Sequence, residues 1–284
     1  MNLPFFLARR FVAADSLSGT LPVAAGLHGD GLSTTLDLLG EYISERHLAE
    51  QARDAYLGLV SALGAQDEID RNISIKLSML GQKIDEGFCL DNLHQLLTVA
   101  RETDTFVRLD MEGSDVTSST IGILEQVYPE YPDNVGIVLQ AYLKRTGDDI
   151  EHMCELGPRV RLCKGAYKEP ADIAWQDMSQ IRDRYLAYME TLMQRGTYPA
   201  IATHDDILID ATKAYVADNS VSNDSFEFQM LYGIRAETQR SIAAEGFGMR
   251  VYVPYGRNWY PYFSRRLRER KENVWFVLKH LFVK

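Results

Sequence analysis

Two adjacent arginines, Arg265 and Arg266, stand just before Glu269 in the run from Tyr260 to Arg270. On a helix of 3.6 residues per turn, Tyr262, Arg266, Glu269 and Asn273 share one face, with Arg265 at its edge. One carboxylate set against two guanidiniums leaves positive charge over, and a guanidinium grips a carboxylate through a bidentate fork. The chemistry expected of this stripe is capture of an anion. The same run also reads as an ordinary amphipathic helix: Phe263, Leu267, Val274, Leu278 and Leu281 form an apolar stripe on roughly the opposite face, which would leave the charges in water. Periodicity alone leaves both readings open.

Other polar residues stand at the ends of short apolar runs. Lys76 ends one, Asp110 and Glu112 the next, Gln140 another, and Arg161 with Lys164 brackets a fourth. Thr203 and His204 follow, then Glu227 with Gln229, then Tyr252. A buried charge needs a partner, so Lys76 and Asp110 on neighbouring strands are expected to pair. Lys164-Gly165-Ala166-Tyr167 adds small residues that let a ligand approach the backbone, beside a lysine able to meet a pyrophosphate. Neither GxGxxG after a strand nor GxxxxGK[ST] occurs, so a Rossmann site and a P-loop have no support.

The elements that would position these residues alternate along the chain. Eight strand-like runs cover Ser33 to Leu39, Asn72 to Leu77, Thr105 to Met111, Val135 to Ala141, Val160 to Cys163, Ala200 to Thr203, Phe226 to Met230, and Arg250 to Val253. Helical segments fall between them, among them Ala49 to Leu63, Asp91 to Glu102, Trp175 to Arg195, Asp206 to Ala217 and Ala236 to Glu245, the last closed by Gly246. Eight βα units predict a (βα)8 TIM-type barrel, with an open doubly wound sheet as the alternative. A further helix is predicted over Asp15 to His28, so residues 1–31 read as an N-terminal segment and 32–284 as one barrel domain. In a barrel the loops after the strands build the site, and the polar residues from Lys76 to Tyr252 at the strand ends match that face.

Composition narrows the function classes. A formal net charge of -10 argues against nucleic acid as a partner and against purely electrostatic attachment to anionic lipid. Three cysteines, Cys89, Cys154 and Cys163, lack CxxC spacing, so neither a disulfide framework nor a zinc site is indicated and no metal is expected. No run approaches the length of a membrane span. The expectation is a cytoplasmic protein that meets the inner face of the membrane peripherally.

Taken together, Ser74-Ile75-Lys76-Leu77-Ser78, Leu109-Asp110-Met111-Glu112, Arg161 to Tyr167, Ala202-Thr203-His204-Asp205, Phe226 to Gly233 and the Tyr260 to Asn273 run resemble proline dehydrogenase, in order, from about Phe11 onward. The likeness is to the short monofunctional bacterial form, with the helices that precede the barrel nearly absent. The resemblance implies an FAD enzyme on a distorted barrel, with a final helix contributing to the site. Such an enzyme oxidises L-proline to Δ1-pyrroline-5-carboxylate, passes electrons to a membrane quinone, and works ahead of a pyrroline-5-carboxylate dehydrogenase. Carried over by motif, Lys76, Arg265 and Arg266 would hold the substrate carboxylate, with Glu269 positioning the arginines. Tyr167, Leu231 and Tyr252 would pack on the substrate ring. Met111, Gln140, Lys164, Gly165, Ala166, Thr203, His204 and Gln229 would touch FAD. Arg161 would sit by the reactive flavin nitrogen, and Asp110 would orient Lys76 or Tyr252. Without the resemblance, Lys76 could be a Schiff-base lysine of an aldolase-type lyase, or the barrel could only bind an acidic metabolite or a partner protein.

Overall fold

The computed structural model describes Phe5, residues 8–40 and residues 43–269, the last five of these as backbone only. Helix α1 (Leu17–Gly29) leads into eight strand-helix units. They are β1 (Ser33–Leu38) with α2 (Arg46–Gly64), β2 (Asn72–Ile75) with α3 (Glu86–Glu102), β3 (Phe106–Leu109) with α4 (Thr117–Val127), and β4 (Val135–Gln140) with α5 (Thr146–Leu156). Then come β5 (Arg159–Cys163) with α6 (Met178–Arg195), β6 (Thr197–Ala202) with α7 (Asp206–Asp218), β7 (Glu227–Leu231) with α8 (Ala236–Ala244), and β8 (Gly248–Tyr255) with α9 (Trp259–Glu269). The strands pair in sequence order, all parallel, and β8 closes on β1 from Ser33↔Arg250 to Leu38↔Tyr255. Closure excludes the open doubly wound sheet.

Strand β4 shows why these runs are strands. All six of its residues are buried, as required of a strand covered by helices outside and by the lumen inside. Outward residues such as Leu109, Ile137, Leu139, Leu162, Phe228 and Val253 join one continuous apolar core with the helices. Inward residues are different: Thr35 and Asp37, Ser74 and Lys76, Arg108 and Asp110, Glu227 and Gln229, Arg250 and Tyr252 each recur at the two-residue strand period. The barrel interior is therefore ionic and hydrogen-bonded rather than packed with branched aliphatics. Gly136 shows how tight it is, since a Cβ there would lie 2.5 Å from the Arg159 carbonyl and 2.9 Å from Arg108 Nη1. The missing side chain makes room for Arg108, whose Nη1 donates to the carbonyls of Arg159 at 2.5 Å and Ile137 at 3.2 Å.

Helix ends follow local chemistry. Asp85, Asp177 and Asp205 cap α3, α6 and α7 through their carboxylates, and Gly246 takes a positive φ of 86° just after α8. Pro22 falls inside α1, which nevertheless runs over nearly the predicted span. A second apolar cluster joins Ala8, Phe11 and Val12 to Leu39 and to Trp259, Tyr262 and Phe263, so the N-terminal segment and α9 pack together beside the β1–α2 loop. Tyr262 is buried although it shares a helix face with Arg266. The side chains of Arg265, Arg266 and Glu269, and Asn273 altogether, lie outside the described residues.

Candidate active site

The polar groups converge at the carboxyl ends of the strands. Arg161 on β5 is the hub: it donates from Nη1 to Asp110 Oδ1 at 2.7 Å, from Nη2 to Ser74 Oγ at 2.9 Å and from Nε to Gln229 Oε1 at 2.5 Å. Side chains from β2, β7 and the end of β3 thus fix one guanidinium, which also lies 5.3 Å from the Tyr252 ring centroid. Asp110, one residue past β3, takes the Tyr252 hydroxyl on its other oxygen at 2.6 Å. Burial first, then the charges of Asp110 and Asp37, push the Tyr252 hydroxyl well above the usual tyrosine range.

Lys76 does not pair with Asp110. Its ammonium donates to Asp37 Oδ1 on β1 at 2.9 Å, and both groups are buried. The expected pairing fails because Asp110 already serves Arg161 and Tyr252, while β1 presents Asp37 to the lumen beside β2. Burial pulls the Lys76 pKa down, but Asp37 and then Asp110 outweigh it, so the net shift is upward. That direction opposes a Schiff-base lysine, which must lose its proton to act.

A second group lines the flank over β5 to β7. Lys164 and Arg182 of α6 both donate to Asp205 Oδ2 at 2.9 Å. Thr203 is buried and its hydroxyl caps the Asp205 backbone N–H at 3.1 Å. His204 Nε2 accepts from the Leu231 backbone N–H at 2.9 Å, which in the neutral ring puts the imidazole proton on Nδ1. Arg235 ties the loop down by donating to the His204 carbonyl and to Asp206. Gly165 holds a φ of 125°, and a Cβ on it would lie 2.2 Å from the Tyr142 ring. Both facts demand glycine, independently of any ligand. Ala166 is exposed and Tyr167 half-buried in the same loop.

Met111 and Gln140 are buried at the ends of β3 and β4. Gln140 Nε2 donates to the Glu112 carbonyl at 3.0 Å, while the Glu112 carboxylate accepts from Ser78 N–H and Oγ–H at 3.1 and 2.7 Å. Glu112 is thus a brace that holds the loop carrying Lys76. Below the hub, Gln229 Nε2 donates to Glu227 at 2.5 Å, and Glu227 takes Arg250 Nε at 2.9 Å. An ordered chain therefore runs from the mouth down the lumen. Asp37, Ser74 and Arg182 are not among the site candidates that the sequence offers; the first two carry a signal in their two-residue spacing from Thr35 and Lys76, whereas Arg182 looks like any helix-surface arginine.

A closed parallel barrel with a charged site on its carboxyl face defines a (βα)8 enzyme. The sequence model described as proline dehydrogenase matches residues 21–279. Proline dehydrogenase 1 of Bacillus subtilis is 40% identical over 277 residues, covering 98% of this chain and 91% of that protein. The proline dehydrogenase of Deinococcus radiodurans is 39% identical, with coverages of 96% and 89%. The bifunctional protein PutA of Escherichia coli is 26% identical over 315 residues, and the match spans 24% of its length. Among solved structures, proline utilization A from Bdellovibrio bacteriovorus, inactivated by N-propargylglycine, superposes with a TM-score of 0.87 at 25% identity, covering 93% of this chain and 32% of that one. The chain belongs to the proline dehydrogenase family and is an oxidoreductase acting on proline.

Proposed function

We propose that the chain oxidises L-proline to Δ1-pyrroline-5-carboxylate with FAD as its cofactor and passes the electrons to a membrane quinone. The observation that carries this reading is the convergence of Lys76, Asp110, Arg161 and Tyr252 from four strands at one end of the barrel. The donor set fits FAD. Among the described residues, Lys164, Arg182 and Arg235 pair with two carboxylates, Asp205 and Asp206, which leaves one positive charge beside the α7 N-terminus for a diphosphate. Lys164, Gly165, Ala166, Thr203 and His204 would line that end, and Met111, Gln140, Arg161 and Gln229 would face the ring system. When bound, FAD supplies the acceptor for the hydride that leaves the carbon next to the ring nitrogen of proline.

The chain's own residues would do the rest. Lys76, Arg265 and Arg266 hold the substrate carboxylate, with Glu269 steadying the arginines; the buried Tyr262 on the Arg266 face supports this over a solvated stripe. Tyr167, Leu231 and Tyr252 pack on the substrate ring and exclude water. Asp110 fixes the Tyr252 hydroxyl and balances the charge of Arg161. An anchored carboxylate sets the reacting carbon in one place, the orientation effect that makes a bimolecular step effectively unimolecular.

The rim of the site supports contact with a membrane acceptor. The large apolar side chains most exposed among the described residues are Leu48, Ile173, Met178, Ile207 and Tyr260. All five lie in a loop or first helical turn that follows a strand, at the end that carries the site. No helix of the described residues is long and apolar enough to cross a membrane, so such contact would be peripheral. The bifunctional name of the PutA relative supports a downstream pyrroline-5-carboxylate dehydrogenase as a partner. The test is a visible spectrum before and after anaerobic addition of L-proline. A yellow protein bleached by L-proline is expected; a protein that cannot be loaded with FAD, or a flavin that L-proline leaves untouched, overturns the reading.

A further inference from the structure

Asp37 is a buried carboxylate with an uneven set of partners. Its Oδ1 takes the Lys76 ammonium at 2.9 Å, whereas its Oδ2 is buried and accepts no hydrogen bond. The Tyr252 hydroxyl lies close enough to Asp37 to lower its pKa, but that hydroxyl has one proton and gives it to Asp110 Oδ2 at 2.6 Å. As a device for stability this is a poor arrangement. A buried ion pair repays its desolvation only when its remaining lone pairs are satisfied, and an apolar pair of similar volume often does better. Its position in the lumen explains it differently, because Asp37 stands at the same end of the barrel as Asp110, Arg161 and Tyr252, against the one lysine of that group.

We propose that Asp37 is a positioning residue for substrate capture, holding the Lys76 ammonium in place as an anchor for the carboxylate of L-proline. The inference rests on the functional reading above. A free lysine carries about 2 kcal/mol of rotamer entropy on its four-carbon stem, and a fixed Asp37 contact removes that freedom before substrate arrives. The ammonium has three donors and Asp37 takes one, so donors remain for a second carboxylate. Asp37 also keeps the lysine charged. Burial alone drives a lysine toward its neutral form, and Asp37 is the largest influence opposing that. Burial in turn pushes the Asp37 carboxyl upward, and Lys76 opposes it, so each member of the pair sustains the charge of the other.

The test uses the flavin-loaded wild type, Asp37→Asn, Lys76→Met and the double variant, with KM and kcat for L-proline, the pH profile of kcat/KM and the melting temperature as readouts. Asp37→Asn should raise KM at least 10-fold with a smaller change in kcat. Its kcat/KM should fall on the alkaline side at least one pH unit earlier than in the wild type, because Lys76 would lose its proton more easily. Lys76→Met should melt lower, since it strands the Asp37 charge, and adding Asp37→Asn should recover melting temperature without lowering KM below that of Lys76→Met. A wild-type KM and pH profile in Asp37→Asn overturns the proposal, as does a KM penalty in the double variant equal to the product of the two single penalties. Should Asp37→Asn fail to fold, Asp37→Glu decides: a raised KM with an unmoved alkaline limb supports the role, and a wild-type KM overturns it. A wild type inactive on L-proline refutes the functional reading itself, whereas an active wild type beside an indifferent Asp37→Asn refutes only the positioning role.

Discussion

Replacing Asp110 by Asn tests whether the hub is held by charge or by shape. Asp110 and Arg161 meet at 2.7 Å with side chains 13% and 7% exposed, and Tyr252 completes the other oxygen at 2.6 Å. Asparagine keeps the volume, can still accept from Arg161 through Oδ1, and can donate from Nδ2 to the Tyr252 oxygen. What it removes is the negative charge. Breaking a buried ion pair costs about 3 to 5 kcal/mol, and the retained hydrogen bonds place this case near the lower end, about 3 kcal/mol. At roughly 2 to 4 °C per kcal/mol for a domain of this size, the melting temperature should drop by about 6 to 12 °C, read by circular dichroism. A second readout follows from sign. Asp110 is, after burial, the largest influence raising the Tyr252 pKa, so its neutralisation should let that hydroxyl ionise at lower pH in an ultraviolet titration against Tyr252→Phe. A melting temperature within about 2 °C of wild type, together with an unmoved tyrosine titration, would show that the triangle carries no charge-dependent load.

Three further outcomes are expected. Gly165→Ala should lose most bound flavin and fold poorly, because a Cβ would lie 2.2 Å from the Tyr142 ring at a φ of 125°; full flavin occupancy would refute the geometry. If Arg182 also meets the FAD diphosphate, Arg182→Met removes a charge-assisted hydrogen bond worth about 1.5 to 3 kcal/mol, so FAD affinity by equilibrium dialysis should fall roughly 10-fold to 150-fold. An unchanged dissociation constant would take Arg182 out of the cofactor site. For Glu227, burial pushes the pKa up, but Arg250 and the Gln229 hydrogen bond outweigh it and the folded value lies below that of the unfolded chain. Its contribution to stability is therefore present above about pH 4.3 and is lost as pH falls through the folded value. Glu227→Gln should melt lower than wild type at pH 7, the gap should close in acid, and a gap independent of pH would contradict that linkage.

The class of architecture and most of the site's residue types are legible in the amino-acid order. A strand buried on both faces must read as a short apolar run, and the helices between must read as amphipathic, so eight βα units were legible and the observed bounds shift mainly at their ends. The ordered motifs around Lys76, Asp110, Arg161 and His204 pointed to the family that the full-length relatives then showed. Asp37 was legible too, in hindsight: Thr35 and Asp37 repeat the two-residue polar spacing of Ser74 and Lys76, a signal obscured by the leucines around it. Which charge pairs with which is set in the folded barrel. Lys76 has a carboxylate on each side, Asp37 on β1 and Asp110 at the end of β3; closure of β8 on β1 brings Tyr252 across to Asp110, which with Arg161 occupies that carboxylate and leaves Asp37 to Lys76. Arg182 belongs to the same category, since nothing in a helix's own period tells whether an arginine ends in water or on a carboxylate 23 residues away. Spacing along a chain fixes which face a side chain occupies, but which partner neutralises a buried charge depends on distances that exist only once the sheet has closed.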